Sequence, residues 1–201
     1  KGNHKPVVIS PTDYPRFLNW MPGNSDVINF EADKKKQETI CQQVREAEVV
    51  FCLDFSSLDR IEQLGKAVAA SSGTKVLIDH HLGKQDFADF ELWDTNAAAT
   101  AELIFDFIGL LGDKKMMDLD IAQCLYAGIM TDTGSFKYSS TSSKVHRIVA
   151  DLLDMGLVHE DIHRKIFDTN TERRLKFIGY ALNEKLVILQ EYHTAYIAIT
   201  A

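Results

Sequence analysis

Acidic and imidazole side chains follow apolar segments at three separate places in this chain. They are Asp54 after residues 49–53, the triplet Asp79, His80 and His81 after residues 75–78, and Asp132 after an apolar segment at 118–130. Mixed carboxylate and imidazole ligands suit a borderline-hard divalent ion such as Mn²⁺, whereas a structural Zn²⁺ site would favour cysteine. Two such ions, about 3.5–4 Å apart and bridged by a carboxylate, activate water for phosphoester hydrolysis. The second histidine of the pair is then placed to hydrogen-bond the phosphate or the leaving oxygen.

An ordinary structural role is open for the first of these residues. Asp54 precedes Phe55-Ser56-Ser57 and a predicted helix, and an aspartate in that position commonly caps a helix N-terminus. Two adjacent histidines behind an aspartate are harder to explain in this way. We therefore keep both the metal and the capping interpretations for Asp54.

Hydroxyl groups follow the third acidic position. Gly134 permits a tight turn after Asp132, and Ser139, Ser140 and Thr141 come just before a helix predicted to begin near residue 142. Hydroxyls and backbone N–H groups at a helix N-terminus form a natural anion site. These three residues are candidate phosphate ligands, and simple helix capping is an equally good and compatible interpretation.

The elements that position these residues alternate between strand and helix patterns. Predicted strands cover residues 7–9, 27–30, 49–53, 75–78 and 90–93, and predicted helices cover 14–20, 33–46, 58–70, 97–111, 118–130, 142–155, 160–167 and 171–183. This alternation predicts an α/β fold with a mainly parallel sheet and helices on both faces. Ligands of such sheets bind outside the carboxyl ends of the strands, which is where the acidic and imidazole residues fall. A hairpin at 186–189 and 194–200 breaks the rhythm and predicts the start of a second domain.

Composition and charge restrict the partners. The 201 residues are 45% hydrophobic and carry a formal net charge of −7, so we expect no large duplex-DNA footprint, which needs a basic face. No apolar run approaches the roughly 18 residues of a membrane span, and no signal peptide is visible. Three cysteines without a C-x-x-C pair fit a reducing compartment, so we expect a cytoplasmic protein with no membrane partner.

Five sequence motifs together carry a family resemblance. They are the Asp79-His80-His81 triplet, L-D-F-S-S-L-D-R around Asp54, G-I-M-T-D-T-G-S-F around Asp132, and the pair P-T-D-Y-P-R-F-L-N-W-M-P-G (11–23) and A-A-A-T-A-E-L-I (97–104). In this combination the chain resembles the DHH phosphoesterase superfamily. The last two motifs resemble its branch of bacterial oligoribonucleases and 3′-phosphoadenosine-5′-phosphate (pAp) phosphatases.

The resemblance implies a role for each candidate residue. Asp54 would bridge two Mn²⁺ ions, His80 and Asp132 would be ligands of one of them, and His81 would face the phosphate. Asp79 would orient the histidine pair from behind the ligands. On this assignment His81, Asp54 and Asp132 are the catalytic residues. A homodimer is one arrangement that the resemblance leaves open.

Two motifs of the superfamily are not found in these residues. One is an H-x-x-P-D-x-D-A segment expected before Lys1, and the other is a G-G-G-H segment of the substrate-binding domain expected after Ala201. We therefore expect a fragment with residues 1–157 as the DHH catalytic domain without its first strand and helix, 158–184 as a helical connector and 185–201 as the start of the substrate domain. We expect these 201 residues alone to be inactive or very weakly active.

The leading functional hypothesis is hydrolysis of short oligonucleotides to mononucleotides, removal of the 3′-phosphate of pAp, or both. A low positive charge fits short substrates, since phosphate contacts dominate the affinity for long nucleic acid. Exopolyphosphatase and cyclic-dinucleotide phosphodiesterase activity stay open within the same superfamily, while the T-D-T-G-x-F form argues against an inorganic pyrophosphatase. A non-catalytic nucleotide-binding module is the alternative from a different class.

Overall fold

A computed structural model describes residues 4–32 and 34–199; Asp33 and Thr200, at the ends of two predicted elements, lie outside them. In this part the strands are β1 (Ile9–Ser10), β2 (Ile28–Asn29), β3 (Val49–Leu53), β4 (Thr74–Asp79), β5 (Phe90–Trp93), β6 (Leu186–Leu189) and β7 (Thr194–Ile197). The α-helices are α1 (Gln37–Glu46), α2 (Glu62–Ala69), α3 (Thr100–Leu110), α4 (Leu119–Asp132), α5 (Ser143–Asp154), α6 (His159–Phe167) and α7 (Glu172–Tyr180).

The main sheet is parallel, as predicted. Its strand order within the described residues is β3-β4-β5, with Leu53 opposite Ile78 and Asp79 opposite Trp93. Parallel neighbours need a long crossover, and α2 supplies it between β3 and β4. The register brings the carboxyl ends of all three strands to one edge, and this is the edge at which the candidate residues lie.

Helices cover both faces of the central strand. Leu77 and Ile78 are both 0% exposed, and successive strand residues point to opposite faces of a sheet. Leu77 packs in a cluster with residues of α1 and α2, whereas Ile78 packs with Leu103 of α3. The predicted α/β fold class is thus confirmed.

Strand β3, at one edge of the sheet, is more exposed to solvent than its apolar sequence suggests. Its alternate residues Val49, Phe51 and Leu53 are 47%, 49% and 43% exposed, while Cys52 between them is buried. Phe51 makes one edge-to-face contact with Phe107 of α3, at a ring separation of 5.9 Å. One side of β3 is therefore packed, and the other is largely open in the described part of the chain.

Two predicted helices are shorter or interrupted. Residues 14–20 form only a 3₁₀ turn at Arg16–Leu18, preceded by Pro15, whose ring removes a backbone donor. The predicted helix at 58–70 divides into a 3₁₀ turn (Leu58–Ile61) and α2, because Glu62 has a left-handed φ of 46°. Periodicity alone does not show either interruption.

The chain divides into two compact units, the first ending at Ile162 and the second beginning at His163. The second unit contains α7, a π-helical turn (Ala181–Lys185) and the antiparallel pair β6–β7. The predicted hairpin is therefore present, and the domain boundaries at 157 and 184 stay a prediction. In the described residues no helix has the length and hydropathy of a membrane span, and all three cysteines are free thiols.

Candidate metal centre

The ends of β3 and β4 bring four of the predicted residues to one edge of the sheet. Asp54 directly follows β3, and its backbone N–H still donates to the Ile78 carbonyl of β4 at 3.1 Å. Asp79 is the last residue of β4, so His80 and His81 follow it at the same edge. The fold thus aligns the two segments that sequence patterns singled out.

Asp132 reaches the same place from a helix. It was predicted to follow a helix, and this is wrong by a small margin, because α4 extends to Asp132 itself. The chain leaves the helical conformation only at residues 134–136. Those residues, Gly134, Ser135 and Phe136, all have left-handed φ values of 56°, 59° and 65°.

The four side chains converge without bonding each other. His80 Nε2 lies 3.9 Å from Asp54 Oδ1 and also 3.9 Å from Asp132 Oδ2. His81 Nδ1 lies 3.9 Å from the same Asp54 oxygen, and one ligand atom each of Asp54, His80 and His81 fall within 4.8 Å of one another. These separations are too long for hydrogen bonds, so the cluster is a candidate metal site in which an ion would satisfy the converging atoms.

A hydrogen bond to one ring nitrogen of His80 leaves the other nitrogen able to bind a cation. Its Nδ1 lies 3.0 Å from the Ala97 carbonyl oxygen, and a carbonyl can only accept a hydrogen bond. Nδ1 therefore carries the proton, which leaves the lone pair of the neutral ring on Nε2. Since Nε2 is the atom between Asp54 and Asp132, the tautomer fits metal binding, and histidines that bind metals are usually held in this way.

Asp79 holds the second histidine. Its carboxylate is 0% exposed, and Oδ1 accepts a 2.7 Å hydrogen bond from His81 Nδ1. The backbone carbonyl of His81 also accepts a hydrogen bond from Trp93 Nε1 at 2.8 Å, which fixes the residue further. The side-chain bond occupies Nδ1 of His81 and leaves Nε2 as the ring nitrogen that can contact a substrate.

The environment of Asp54 excludes the capping interpretation. The 3₁₀ turn that follows is capped by Ser57, whose hydroxyl accepts from the Asp59 N–H at 3.3 Å. Asp54 itself has a left-handed φ of 68°, a conformation that aspartate tolerates better than most residues. Its Oδ1 accepts a 2.7 Å hydrogen bond from the Thr100 hydroxyl.

The carboxyl of Asp132 lies in an environment that raises its pKa. Partial burial raises its pKa above the usual value of 3.8, and the nearby Asp54 carboxylate raises it further, against a lowering by His80 and His81. Two carboxylates that repel each other at close range form a site that favours a cation. This electrostatic pattern fits the donor set.

The predicted phosphate-binding hydroxyls are less clearly placed. Ser139 and Ser140 are exposed, and Thr141 Oγ1 is buried with no hydrogen-bond partner among the described residues. Ser142 caps α5 by accepting from the Val145 N–H at 3.3 Å, so the capping interpretation holds for this turn. No contact between the three candidates and the metal cluster is seen in the described part, and their role in phosphate binding stays a prediction.

Sequence reasoning missed the support provided by residues 97–102. In the sequence this segment contributes only to the family resemblance. In the structure the Thr100 hydroxyl donates a hydrogen bond to Asp54, and the Ala97 carbonyl accepts one from His80. A hydroxyl residue after three alanines at a predicted helix start was the available signal. Its partner lies 46 residues away in sequence, so spacing could not have identified it.

The fold and the site together define an α/β protein with a candidate metal cluster at the carboxyl edge of a parallel sheet. Residues 5–129 match the family described as "DHH family, N-terminal domain", a span that includes Asp54, His80 and His81. The chain belongs to the DHH family.

Relatives with described activities are similar over part of their length. The bifunctional oligoribonuclease and PAP phosphatase NrnA of Thermus thermophilus is 30% identical over 145 residues, which cover 72% of this chain and 40% of the relative. The protein of the same name from Bacillus subtilis is 25% identical over 135 residues, 66% of this chain and 42% of the relative. The chain therefore spans less than half of these two relatives.

One solved structure is similar along nearly the whole chain. A crystal structure of an exopolyphosphatase-related protein from Bacteroides fragilis superposes with a TM-score of 0.91 at 38% identity, covering 96% of this chain and 55% of that one. This agreement confirms the fold of the described elements.

Proposed function

We propose that the protein is a Mn²⁺-dependent phosphoesterase that hydrolyses short oligonucleotides to mononucleotides, removes the 3′-phosphate of pAp, or both. The observation that carries the proposal is the convergence of Asp54, His80 and Asp132, with His80 Nε2 3.9 Å from each carboxylate. Membership of the DHH family and the names of the NrnA relatives support the reaction class.

In this proposal each residue has a distinct task. Carboxylate oxygens of Asp54 and Asp132 and Nε2 of His80 would hold Mn²⁺, and Asp54 would also bind a second ion. The ions supply Lewis-acid stabilisation of the charge that develops on the phosphoryl oxygens, together with an activated water nucleophile. The donor set fits this ion, because it contains two carboxylates and an imidazole of the required tautomer.

The second histidine would act on the substrate. Asp79 accepts the Nδ1 proton of His81, so Nε2 is the atom free to donate to a phosphate oxygen or to the leaving oxygen. The Asp79 carboxylate is buried, so it holds the His81 ring in a fixed orientation for this role. The net charge of −7 favours a short substrate held by the ions over a long one held by basic side chains.

A second candidate is exopolyphosphatase activity. It is favoured by one observation, the name of the Bacteroides fragilis protein that is 38% identical over 96% of this chain. Both candidates use the same residues and the same in-line attack on phosphorus. They differ only in the leaving group, so a comparison of substrates distinguishes them.

The test is Mn²⁺-dependent hydrolysis by the full-length protein of a 5′-phosphorylated dinucleotide, pAp, polyphosphate, pyrophosphate and a cyclic dinucleotide. The Asp132→Ala variant is assayed beside it. Turnover of the first two substrates that is lost in the variant supports the proposal, and turnover of polyphosphate alone supports the second candidate. A folded, Mn²⁺-loaded protein that hydrolyses none of them contradicts both and favours a nucleotide-binding module.

A further inference from the structure

Residues 97–100 touch two of the candidate ligands at once. The Ala97 carbonyl accepts from His80 Nδ1 at 3.0 Å, and the Thr100 hydroxyl donates to Asp54 Oδ1 at 2.7 Å. Every residue of this short segment is buried, from 0% exposed at Ala99 to 7% at Ala97 and Thr100. A buried segment of small residues has few alternative conformations, so it can fix both ligands relative to each other.

A buried carboxylate, paired with a half-exposed lysine, fixes the segment itself. Glu102 is 3% exposed, and its Oε2 accepts from the Ala98 N–H at 2.8 Å while its Oε1 lies 2.9 Å from Lys144 Nζ. Lys144, on the first turn of α5, also bonds Asp106 Oδ2 at 2.5 Å. Burial lowers the pKa of Lys144, but the hydrogen bonds that its ammonium donates to Asp106 and Glu102 outweigh this and raise the pKa overall, so the ammonium stays charged.

We propose that Thr100 is a positioning residue of the metal centre, which holds the Asp54 carboxylate in its ion-binding orientation, and that the Glu102–Lys144 pair locks the segment that carries it. The inference rests on the metal site of the proposed function and not on its substrate. The oxygen that Thr100 bonds, Oδ1, is the one that lies 3.9 Å from both histidines. The hydroxyl therefore acts on the oxygen nearest to the other ligands.

If the hydrogen bond between Thr100 and Asp54 only stabilised the fold, its removal would lower the stability of the protein. The proposed role predicts a different result. The Asp54 side chain is 58% exposed, so water can replace the Thr100 hydroxyl when it is removed, and the fold loses little stability. The orientation of the carboxylate is lost all the same. The inference thus predicts weaker metal binding without a matching loss of stability.

The experiment measures Mn²⁺ affinity of the full-length protein without substrate, by the electron paramagnetic resonance signal of free Mn²⁺ and by calorimetry. Thr100→Val removes the hydroxyl and keeps the shape, Thr100→Ser restores it, and Thr74→Val makes the same change at the far end of β4. We expect about 10–100-fold weaker binding in Thr100→Val, recovery of most of it in Thr100→Ser, and wild-type binding in Thr74→Val. The melting temperatures of the metal-free proteins should agree closely.

Several results would overturn the inference. They are unchanged affinity in Thr100→Val, equal losses in Thr100→Ser and Thr100→Val, and a wild-type protein that binds no Mn²⁺. If Thr100→Val does not fold, Glu102→Gln decides the matter, since it keeps an acceptor for the Ala98 N–H but loses the charge facing Lys144. Weaker Mn²⁺ binding by folded Glu102→Gln supports the inference, and wild-type binding contradicts it. Because no substrate is present, a protein that binds Mn²⁺ as expected but hydrolyses nothing refutes the proposed function alone.

Discussion

The buried carboxylate of Asp79 accepts a 2.7 Å hydrogen bond from His81 Nδ1 through its Oδ1 atom. Its other oxygen, Oδ2, has no hydrogen-bond partner among the described residues. Asp79 therefore affects the site through the histidine. Asp79→Asn keeps the size and one acceptor oxygen, but it replaces the charge-assisted hydrogen bond to His81 Nδ1 with a weaker neutral one, so the ring is held less firmly. We expect phosphoester hydrolysis to fall about 10–100-fold, while Mn²⁺ affinity, which depends on Asp54, His80 and Asp132, changes little.

The matched control for this change is Asp151→Asn, which removes an exposed carboxylate on α5. Its turnover and Mn²⁺ affinity should both equal those of the wild type. Steady-state kinetics and metal titration of the three proteins separate the two effects. Wild-type turnover by Asp79→Asn, or a large loss of its metal affinity, would show that Asp79 does not act in this way.

Because the pKa of Asp132 is raised, we expect substitution of this residue to change the stability of the protein by an amount that depends on pH. Its pKa in the metal-free fold is raised by burial and by Asp54, so folding is favoured most when the group is protonated. That contribution is complete below the unfolded pKa of about 3.8 and is lost as pH rises through the higher folded value. Asp132→Asn cannot titrate there, so its stability relative to the wild type should increase from acid to neutral pH.

Urea unfolding of both proteins in the presence of a chelator, at acid pH and at pH 7, measures this difference. Taking the difference between the two proteins cancels the titration of the other carboxylates. With saturating Mn²⁺ the order should reverse at pH 7, because only the wild type retains the full ligand set. A stability difference that does not vary with pH would contradict the assigned environment of Asp132.

At the scale of single residues, the sequence predicted which candidate residues come together, but not the groups that hold them in place. The positions of Asp54 and His80 followed from the rule that parallel strands end at one edge, and the structure brings Asp132 to the same place. The Thr100 hydroxyl and the Ala97 carbonyl could not be predicted, because each contact depends on how α3 packs against the sheet. Hydrophobic periodicity and residue spacing do not show which residues of different elements contact each other.

At the scale of elements, Gly73 controls the start of β4, the strand that ends immediately before the two histidines. A Cβ atom on Gly73 would lie 2.0 Å from the Ala47 carbonyl oxygen, and this contact is to backbone, which cannot move aside cheaply. The next residue, Thr74, bonds the Glu48 carbonyl and begins β4. Gly73→Ala should therefore destabilise the protein by about 1–3 kcal/mol through overpacking.

Gly179→Ala is the matched control, because nothing lies within 4 Å of its Cβ position in α7. In a helix interior, alanine is favoured over glycine by about 0.5–1 kcal/mol, so this variant should be neutral or slightly stabilised. Chemical denaturation of both variants checks the pair. Equal stabilities of Gly73→Ala and the wild type would mean that the entry to β4 is more adaptable than the structure indicates.

Strongly patterned elements were predicted well. The bounds of β3, β5 and β6 match the predicted strands, because short apolar runs between turn residues leave little choice. The predicted helix at 58–70 was wrong in its first turn, where Ser57 caps a 3₁₀ turn and Glu62 takes a left-handed φ of 46°. A Cβ atom on Gly65 would lie 2.2 Å from the Leu58 carbonyl, so the close packing of these two turns is a tertiary effect.

At the scale of the whole molecule, metal binding should be linked to folding. An ion that binds only the folded protein stabilises it by about 2.7 kcal/mol at a concentration 100 times its dissociation constant. We therefore expect Mn²⁺ to raise the melting temperature of the wild type, and a chelator to reverse the increase. The domain boundaries at 157 and 184 and the cytoplasmic location stay predictions at this scale.

Calorimetry of the wild type and of Asp54→Asn, each with and without Mn²⁺, measures this linkage. The variant loses the carboxylate whose Oδ1 lies 3.9 Å from both histidines, so its melting temperature should rise much less. Equal increases in the two proteins would place the bound ion elsewhere in the molecule. No increase in either would indicate that the cluster does not bind Mn²⁺ at that concentration.

The most direct test of the central claim is the rate at which the full-length protein hydrolyses a 5′-phosphorylated dinucleotide, measured with Mn²⁺, with chelator, and in the Asp54→Asn variant. The account predicts turnover that requires Mn²⁺, stops with the chelator and falls to background in the variant. Hydrolysis that continues without metal, or that Asp54→Asn retains, would contradict a metal centre built on Asp54, His80 and Asp132.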